Sequence, residues 1–188
     1  MPPEDFPRRS VAADAILGTR LETLLGWLLA LPSSPATAVL IEEAERPSFT
    51  DSAGLRGLVA RAEEHVKERA TAAVYAVVPP GAGERAFADM ETAAARYCTA
   101  KPLRHHDLAP LAGHERPGLR AVLELVEDRS VQILVVPSLD HLPPDGTGAE
   151  DSLWTLTGIR ALLSARGVRL IAADHRRTLS GRMVGAAR

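Results

Sequence analysis

Apolar residues in the first third of the chain follow two different spacings. Between residues 16 and 29 they recur every three or four positions, which predicts an amphipathic helix ending at Pro32-Ser33-Ser34-Pro35. The next apolar run, over residues 38–41, is short and bounded by turn residues, so we predict a buried parallel strand there. Asp51 or Ser52 is placed to cap the following helix, over residues 53–68.

Strand-like and helix-like segments then alternate. Predicted strands cover residues 72–78, 103–108, 131–137 and 168–172, and predicted helices cover 84–98, 117–127 and 151–165. Such alternation is typical of an α/β fold with a mostly parallel sheet and helices on both faces. We therefore predict one α/β domain over residues 1–173. It combines a helix-strand-helix extension (1–70) with a core (71–173), because the link over 68–71 is too short for a domain boundary.

Composition narrows the classes of partner and compartment. The chain has 188 residues and a formal charge of −2, which argues against a strongly basic nucleic-acid surface. A single cysteine, Cys98, excludes an internal disulfide and any multi-cysteine metal site, and it fits a reducing compartment. The longest apolar stretch, residues 24–31, is too short to span a bilayer, and the N-terminus lacks a signal-peptide pattern. We expect a cytoplasmic bacterial protein with no cofactor and no membrane partner.

Four segments carry a family resemblance. Two follow predicted strands, Tyr75-Ala76-Val77-Val78-Pro79 and Leu139-Asp140-His141-Leu142; between them Arg116-Pro117-Gly118-Leu119 opens a helix, and beyond them residues 162–171 lead from a helix into a strand. In this order and spacing they resemble the catalytic domain of the serine recombinase (resolvase/invertase) family, over roughly residues 71–173. Tyr75 and Asp140 match the framework of that family. There, a serine attacks a DNA phosphate to form a 5′-phosphoserine link, and arginines stabilise the developing charge.

The resemblance implies that the framework of the catalytic domain is retained, whereas the residues that attack and bind the DNA phosphate are not. The nucleophile position of the family holds Pro79, and its arginine positions hold Val77, His141 and Pro144. Proline has no hydroxyl, so it cannot form a phosphoserine link. We therefore expect a catalytically inactive serine recombinase-like protein that binds a protein partner, a second copy of itself or DNA.

A second resemblance lies in the first half of the chain. Residues 38–41 followed by Asp51-Ser52-Ala53-Gly54-Leu55 resemble the strand-turn-helix of STAS domains, the anti-sigma factor antagonists. In that family the serine is phosphorylated by a partner kinase, and a phosphate on Ser52 would lie near the positive end of a helix. The alternative is an ordinary helix cap at Asp51 or Ser52. The resemblance makes a phospho-regulated interaction module the alternative function.

The remaining clusters of reactive side chains give weaker hypotheses. His105, His106, Asp107 and His114 have metal-ligand chemistry, but adjacent histidines in a strand point to opposite faces, so we expect no metal site. Asp107 falls where the recombinase family often has an acidic residue.

Two further groups of residues are considered as sites. Ser138, Asp140 and His141 include the residue types of a hydrolytic triad without the turn that exposes a nucleophilic serine. A small-molecule site near Asp107 and Asp140 is a third functional hypothesis, based on the fold class alone. The segment 174–188 is interpreted as a basic tail, in which Arg176, Arg177 and Arg182 are candidate phosphate contacts or simply solvated.

Overall fold

The computed structural model describes residues 6–46, 52–81, 83–109, 111, 116–145 and 155–173. The chain divides into two compact units, Met1–Arg69 and Ala70–Arg188. This division falls where the sequence predicts the end of the extension and the start of the core. The interpretation of residues 1–173 as one domain stays a prediction.

The first unit contains three helices in its described part. They are α1 (Phe6–Ala30), α2 (Pro35–Glu45) and α3 (Ser52–Arg69). The leucines of α1 at positions 21, 24 and 28 are buried, as their helical spacing predicts. They share the unit with buried residues of α3, namely Leu58, Val59, Ala62 and Val66.

The predicted strand over residues 38–41 is wrong, because this segment belongs to α2. Ser34 caps the helix, with its Oγ accepting a hydrogen bond from the Thr37 amide at 3.1 Å, and Pro35 occupies the first turn, where its missing amide costs nothing. The buried positions of α2 are Thr37, Leu40 and Ala44, which follow helical spacing. The extension is therefore helical in its described part, and the strand of the STAS-like pattern is absent from residues 38–41.

The second unit is built on a four-stranded sheet. Its elements are β1 (Ala72–Val78), α4 (Gly83–Ala94), β2 (Leu103–Leu108), α5 (Pro117–Glu127), β3 (Ile133–Val136), a short 3-10 turn (Leu139–His141), α6 (Leu156–Ala165) and β4 (Arg169–Ala172). The strand order is β2-β1-β3-β4, and all pairs are parallel. The α/β prediction, with a parallel sheet between helices, is confirmed.

Each sheet face has its own helices. On one face Ala73, Tyr75, Leu134 and Val136 belong to a buried cluster that includes Leu119, Val122 and Val126 of α5 and Ile159 and Leu163 of α6. On the other face α4 contacts β1 and β3, and the Arg104 guanidinium of β2 lies 5.4 Å from the ring centre of Phe87 in α4. Because both faces are covered, β1 and β3 are almost continuously apolar.

Two helices turn into the following strand by the same C-terminal motif. After α5, the amides of Arg129 and Ser130 donate to the carbonyls of Val126 and Leu125, at 3.1 and 2.9 Å. After α6, Gly167 and Val168 donate in the same way to Ser164 and Leu163, at 3.1 and 2.8 Å. The motif needs a left-handed residue, with φ of 69° at Gly167 and 56° at Arg129.

Within the described part of the chain, no helix is both long enough and apolar enough to cross a membrane.

Candidate functional site

The carboxyl ends of the parallel strands bring the recombinase-like segments to one edge of the sheet. In the register between β1 and β2, Val77 lies opposite Asp107. The 3-10 turn that follows β3 contains His141, and α5 starts at Pro117, directly after Arg116. We call Tyr75, Val77, Asp107, Arg116 and His141 the carboxyl-edge cluster. This edge is where α/β folds place their ligands.

Asp107 is the most highly connected side chain of the cluster. It is only 4% exposed, and its carboxylate accepts three hydrogen bonds: from the Tyr75 hydroxyl at 2.8 Å and from the amides of Gly118 and Leu119 at 2.7 and 3.2 Å. The two amides belong to the first turn of α5, where backbone donors lack helical partners and the helix dipole favours a negative charge. Asp107 therefore caps α5 from the neighbouring strand.

Tyr75 completes this arrangement from the central strand. Its side chain is fully buried. Burial raises the pKa of the Tyr75 hydroxyl, and the hydrogen bond to Asp107 raises it further. The phenol consequently stays protonated and donates, so it cannot serve as a base or a nucleophile at neutral pH.

The first turn of α5 approaches β2 very closely at Gly118. A Cβ atom at this position would lie 2.3 Å from the carbonyl oxygen of His106 and 3.0 Å from Oδ1 of Asp107. No side chain fits there, and glycine allows the Gly118 amide to reach the Asp107 carboxylate.

His141 links the third strand end to the first. Its Nδ1 accepts a hydrogen bond from the Val77 amide at 3.0 Å, and its carbonyl oxygen accepts one from Nη1 of Arg116 at 2.9 Å. Because Nδ1 is the acceptor, the neutral ring carries its hydrogen on Nε2. Burial lowers the pKa of His141, which keeps the ring neutral.

The side chains at the remaining recombinase-like positions carry no nucleophilic or cationic group. Pro79 and Pro144 are exposed, and Val77 is half-buried with its amide bound to His141. Ser138 donates a long hydrogen bond of 3.5 Å to Asp140. In a hydrolytic triad the imidazole donates from Nδ1 to the carboxylate, whereas the Nδ1 of His141 accepts from the backbone. These residues therefore lack the contacts of a triad.

The histidines of β2 are divided between the two faces of the strand. His106 is exposed, and its ring packs against that of Phe87 in a T-shaped arrangement, with ring centres 6.0 Å apart. His105 is half-buried, and its pKa is lowered first by burial and then by the nearby His106. His114 lies outside the described residues. Among those that are described, no three histidine, cysteine or acidic side chains are grouped closely enough to hold a metal ion.

Ser52, the predicted phospho-switch, is the first residue of α3. Its carbonyl oxygen accepts a hydrogen bond from Nε of Arg56 at 3.1 Å. Asp51 lies outside the described residues, as do Arg176, Arg177 and Arg182 of the predicted tail. Modification of Ser52 and phosphate binding by the tail stay predictions.

Sequence reasoning missed the role of Arg116. Its position directly before Pro117 indicates only the start of a helix. The hydrogen bond to the His141 carbonyl depends on the fold of the loop after β3, which leaves no local pattern in the chain.

Comparison with known protein families and with curated proteins finds no match to this chain.

Proposed function

We propose that this chain is a catalytically inactive, serine recombinase-like protein that works by binding. One observation carries the proposal. Val77 and His141 stand where the resemblance implies arginines, and they are hydrogen-bonded to each other, amide to imidazole, at 3.0 Å. Neither residue offers a guanidinium that could clamp a phosphate, and the imidazole of His141 is bound to the Val77 amide instead.

The chemistry of these residues does not suit phosphoryl transfer. That reaction needs cationic groups to stabilise charge on the phosphate oxygens. Val77 has an aliphatic side chain, and the lowered pKa of His141 keeps the ring uncharged at neutral pH. Pro79, at the position of the nucleophile, is exposed but has no hydroxyl.

Hydrogen bonds hold the carboxyl-edge cluster in place. Asp107 satisfies Tyr75 and the first turn of α5 together, and Arg116 holds the turn that contains His141. A framework stabilised in this way without a nucleophile suits a binding surface, and we infer a regulatory role toward a protein partner, a second copy or DNA.

A covalent-adduct assay tests the proposal. The wild-type protein and a Pro79→Ser variant are incubated with supercoiled DNA carrying candidate sites, and products are separated on a denaturing gel beside an active serine recombinase on its own site. We expect no protein-DNA adduct from either form, because the variant regains a hydroxyl but no arginine at 77 or 141. An adduct formed by the wild type would overturn the proposal. A native gel with the same DNA then separates DNA partners from protein partners.

A phospho-regulated module using Ser52 is the second candidate function. It is favoured by the start of α3 at Ser52 and by Arg56 one turn later, since both would attract a phosphate. The variants Ser52→Asp and Ser52→Ala are compared in pull-down experiments against the same extract. A partner retained by only one of them supports this function, and identical partner sets count against it.

A further inference from the structure

Helices α2 and α3 of the first unit form a groove of about 640 Å³. The α2 wall is apolar and includes Pro35, Val39 and Leu40. Val39 is 54% exposed, so its side chain is accessible to a ligand. The groove is shallow and open, and it offers an apolar surface for a few side chains of a partner.

The α3 wall is acidic. Glu64 and Glu68 line the groove four residues apart and are exposed. Neither forms an ion pair with a basic side chain in the described part of the chain. Because they are four residues apart, the two carboxylates lie one helical turn apart on the same side of α3.

The other polar groups of the groove are already engaged. Arg61 donates to Oε2 of Glu43 at 2.6 Å, which neutralises the one arginine that lines the groove. His65 is hydrogen-bonded through Nε2 to Oγ1 of Thr37 at 2.9 Å, and Thr37 is itself bonded to Ser34. Among the described residues that line the groove, the charge left for a ligand is that of Glu64 and Glu68.

We propose that this groove binds a basic amphipathic segment of a partner polypeptide. Its apolar side chains contact the exposed Pro35 and Val39, and two lysines or arginines four residues apart pair with Glu64 and Glu68. The spacing matches because residues four apart on a partner helix repeat at the same distance as the two glutamates. Nucleic acid does not suit this surface, since the carboxylates repel phosphate.

The proposal names a partner class for the proposed binding role, and it stands on contacts in the first unit alone. The two ideas fail separately. A covalent DNA adduct would remove the inactive assignment without touching the groove, whereas a failed peptide experiment would leave the carboxyl-edge cluster unaffected.

The test uses the full chain and a labelled synthetic peptide, about three helical turns long. The peptide carries two leucines on one face, flanked by lysines four residues apart. A matched peptide has glutamates in place of the lysines. Fluorescence anisotropy measures binding at low and high salt. We expect saturable binding of the basic peptide only, weakened by salt because exposed ion pairs are screened.

Two sets of variants connect the binding to the groove. Glu64→Lys with Glu68→Lys reverses the acidic wall, and Val39→Asp removes the apolar contact; each should weaken the basic peptide about tenfold or more. Glu22→Lys with Glu45→Lys makes the same charge change on α1 and on the side of α2 opposite the groove lining, and should leave the affinity unchanged. Circular dichroism confirms that every variant is folded.

Three outcomes would overturn the proposal. The first is equal binding of the basic and acidic peptides. The second is binding of the basic peptide that the groove variants do not weaken. The third is absence of saturable binding of the basic peptide. If the wild type is then a dimer that the Glu64→Lys, Glu68→Lys variant dissociates in sedimentation, the occupant is a second copy of this chain.

Discussion

The amide of Val77 donates a hydrogen bond to Nδ1 of His141 at 3.0 Å, and this bond joins the end of β1 to the turn after β3. It exists only while Nδ1 keeps its lone pair, so it requires the neutral ring. Protonation of His141 would replace the acceptor with a donor that faces another donor. The carboxyl edge of the sheet is therefore sensitive to acid at this position.

We expect acid to destabilise the protein through His141. Burial holds the pKa of His141 in the folded state below its ordinary value of 6.5. The stabilisation is complete above pH 6.5 and is lost as the pH falls through the folded pKa, because the unfolded chain takes up the proton first. Urea denaturation at a series of pH values measures the free energy of unfolding.

The matched variant for this experiment is His141→Asn. Its Oδ1 can accept from the Val77 amide in place of Nδ1 but does not titrate. The pKa of His105 is also lowered by burial, so the wild type and the variant share that contribution, and their difference isolates His141. Parallel pH profiles for the two proteins would contradict the prediction.

Asp107 and Tyr75 should be energetically coupled. Tyr75→Phe removes a hydrogen bond to a buried carboxylate and should lower the free energy of unfolding by about 2 kcal/mol. Asp107→Ala removes the acceptor of all three donors, including the Tyr75 hydroxyl, and should cost about 3 kcal/mol. The double variant should cost less than the sum of the two, because both changes break the same bond. Strict additivity in urea denaturation would show that the bond contributes nothing.

The sequence predicts the sheet strands of the core correctly, but it does not distinguish a short apolar strand from a helix in the first unit. β1 and β3 are apolar on both faces because helices cover both, and this continuous pattern is readable in the chain. Residues 38–41 have a similar apolar run but lie in α2. The run is too short to distinguish a strand from a buried helix segment, and the signal that decides is the Ser34-Pro35 helix start.

The site was predictable only in part. Strand topology places Tyr75, Asp107 and His141 at one edge, as expected for residues at the carboxyl ends of parallel strands. Which of their atoms form hydrogen bonds depends on the directions of the side chains and on how closely the first turn of α5 approaches β2. The close approach of Gly118 to the His106 carbonyl could not be predicted in this way. A glycine near the start of a helix does not by itself indicate that another strand lies against it.

Gly118 should tolerate no side chain. In Gly118→Ala the new Cβ would lie 2.3 Å from a backbone oxygen that cannot rotate away, so α5 must shift and the Asp107 bonds must lengthen. We expect a loss of about 3 kcal/mol. Gly57→Ala is the matched control, because nothing lies within 4 Å of its Cβ and helix propensity should add about 0.5–1 kcal/mol. Equal effects of the two substitutions on the thermal midpoint would contradict the packing at Gly118.

The two similar helix ends allow a prediction of opposite sign. Arg129 adopts φ of 56° in the motif that ends α5, where a side chain is strained, and Gly167 adopts φ of 69° at the matching place after α6. Arg129→Gly should therefore stabilise the protein by about 0.5–1 kcal/mol, after the greater freedom of glycine in the unfolded chain is included. Gly167→Ala should destabilise it by about 1 kcal/mol. Both effects are measured by urea denaturation. A loss of stability in Arg129→Gly would mean that the arginine side chain makes contacts worth more than the relieved backbone strain.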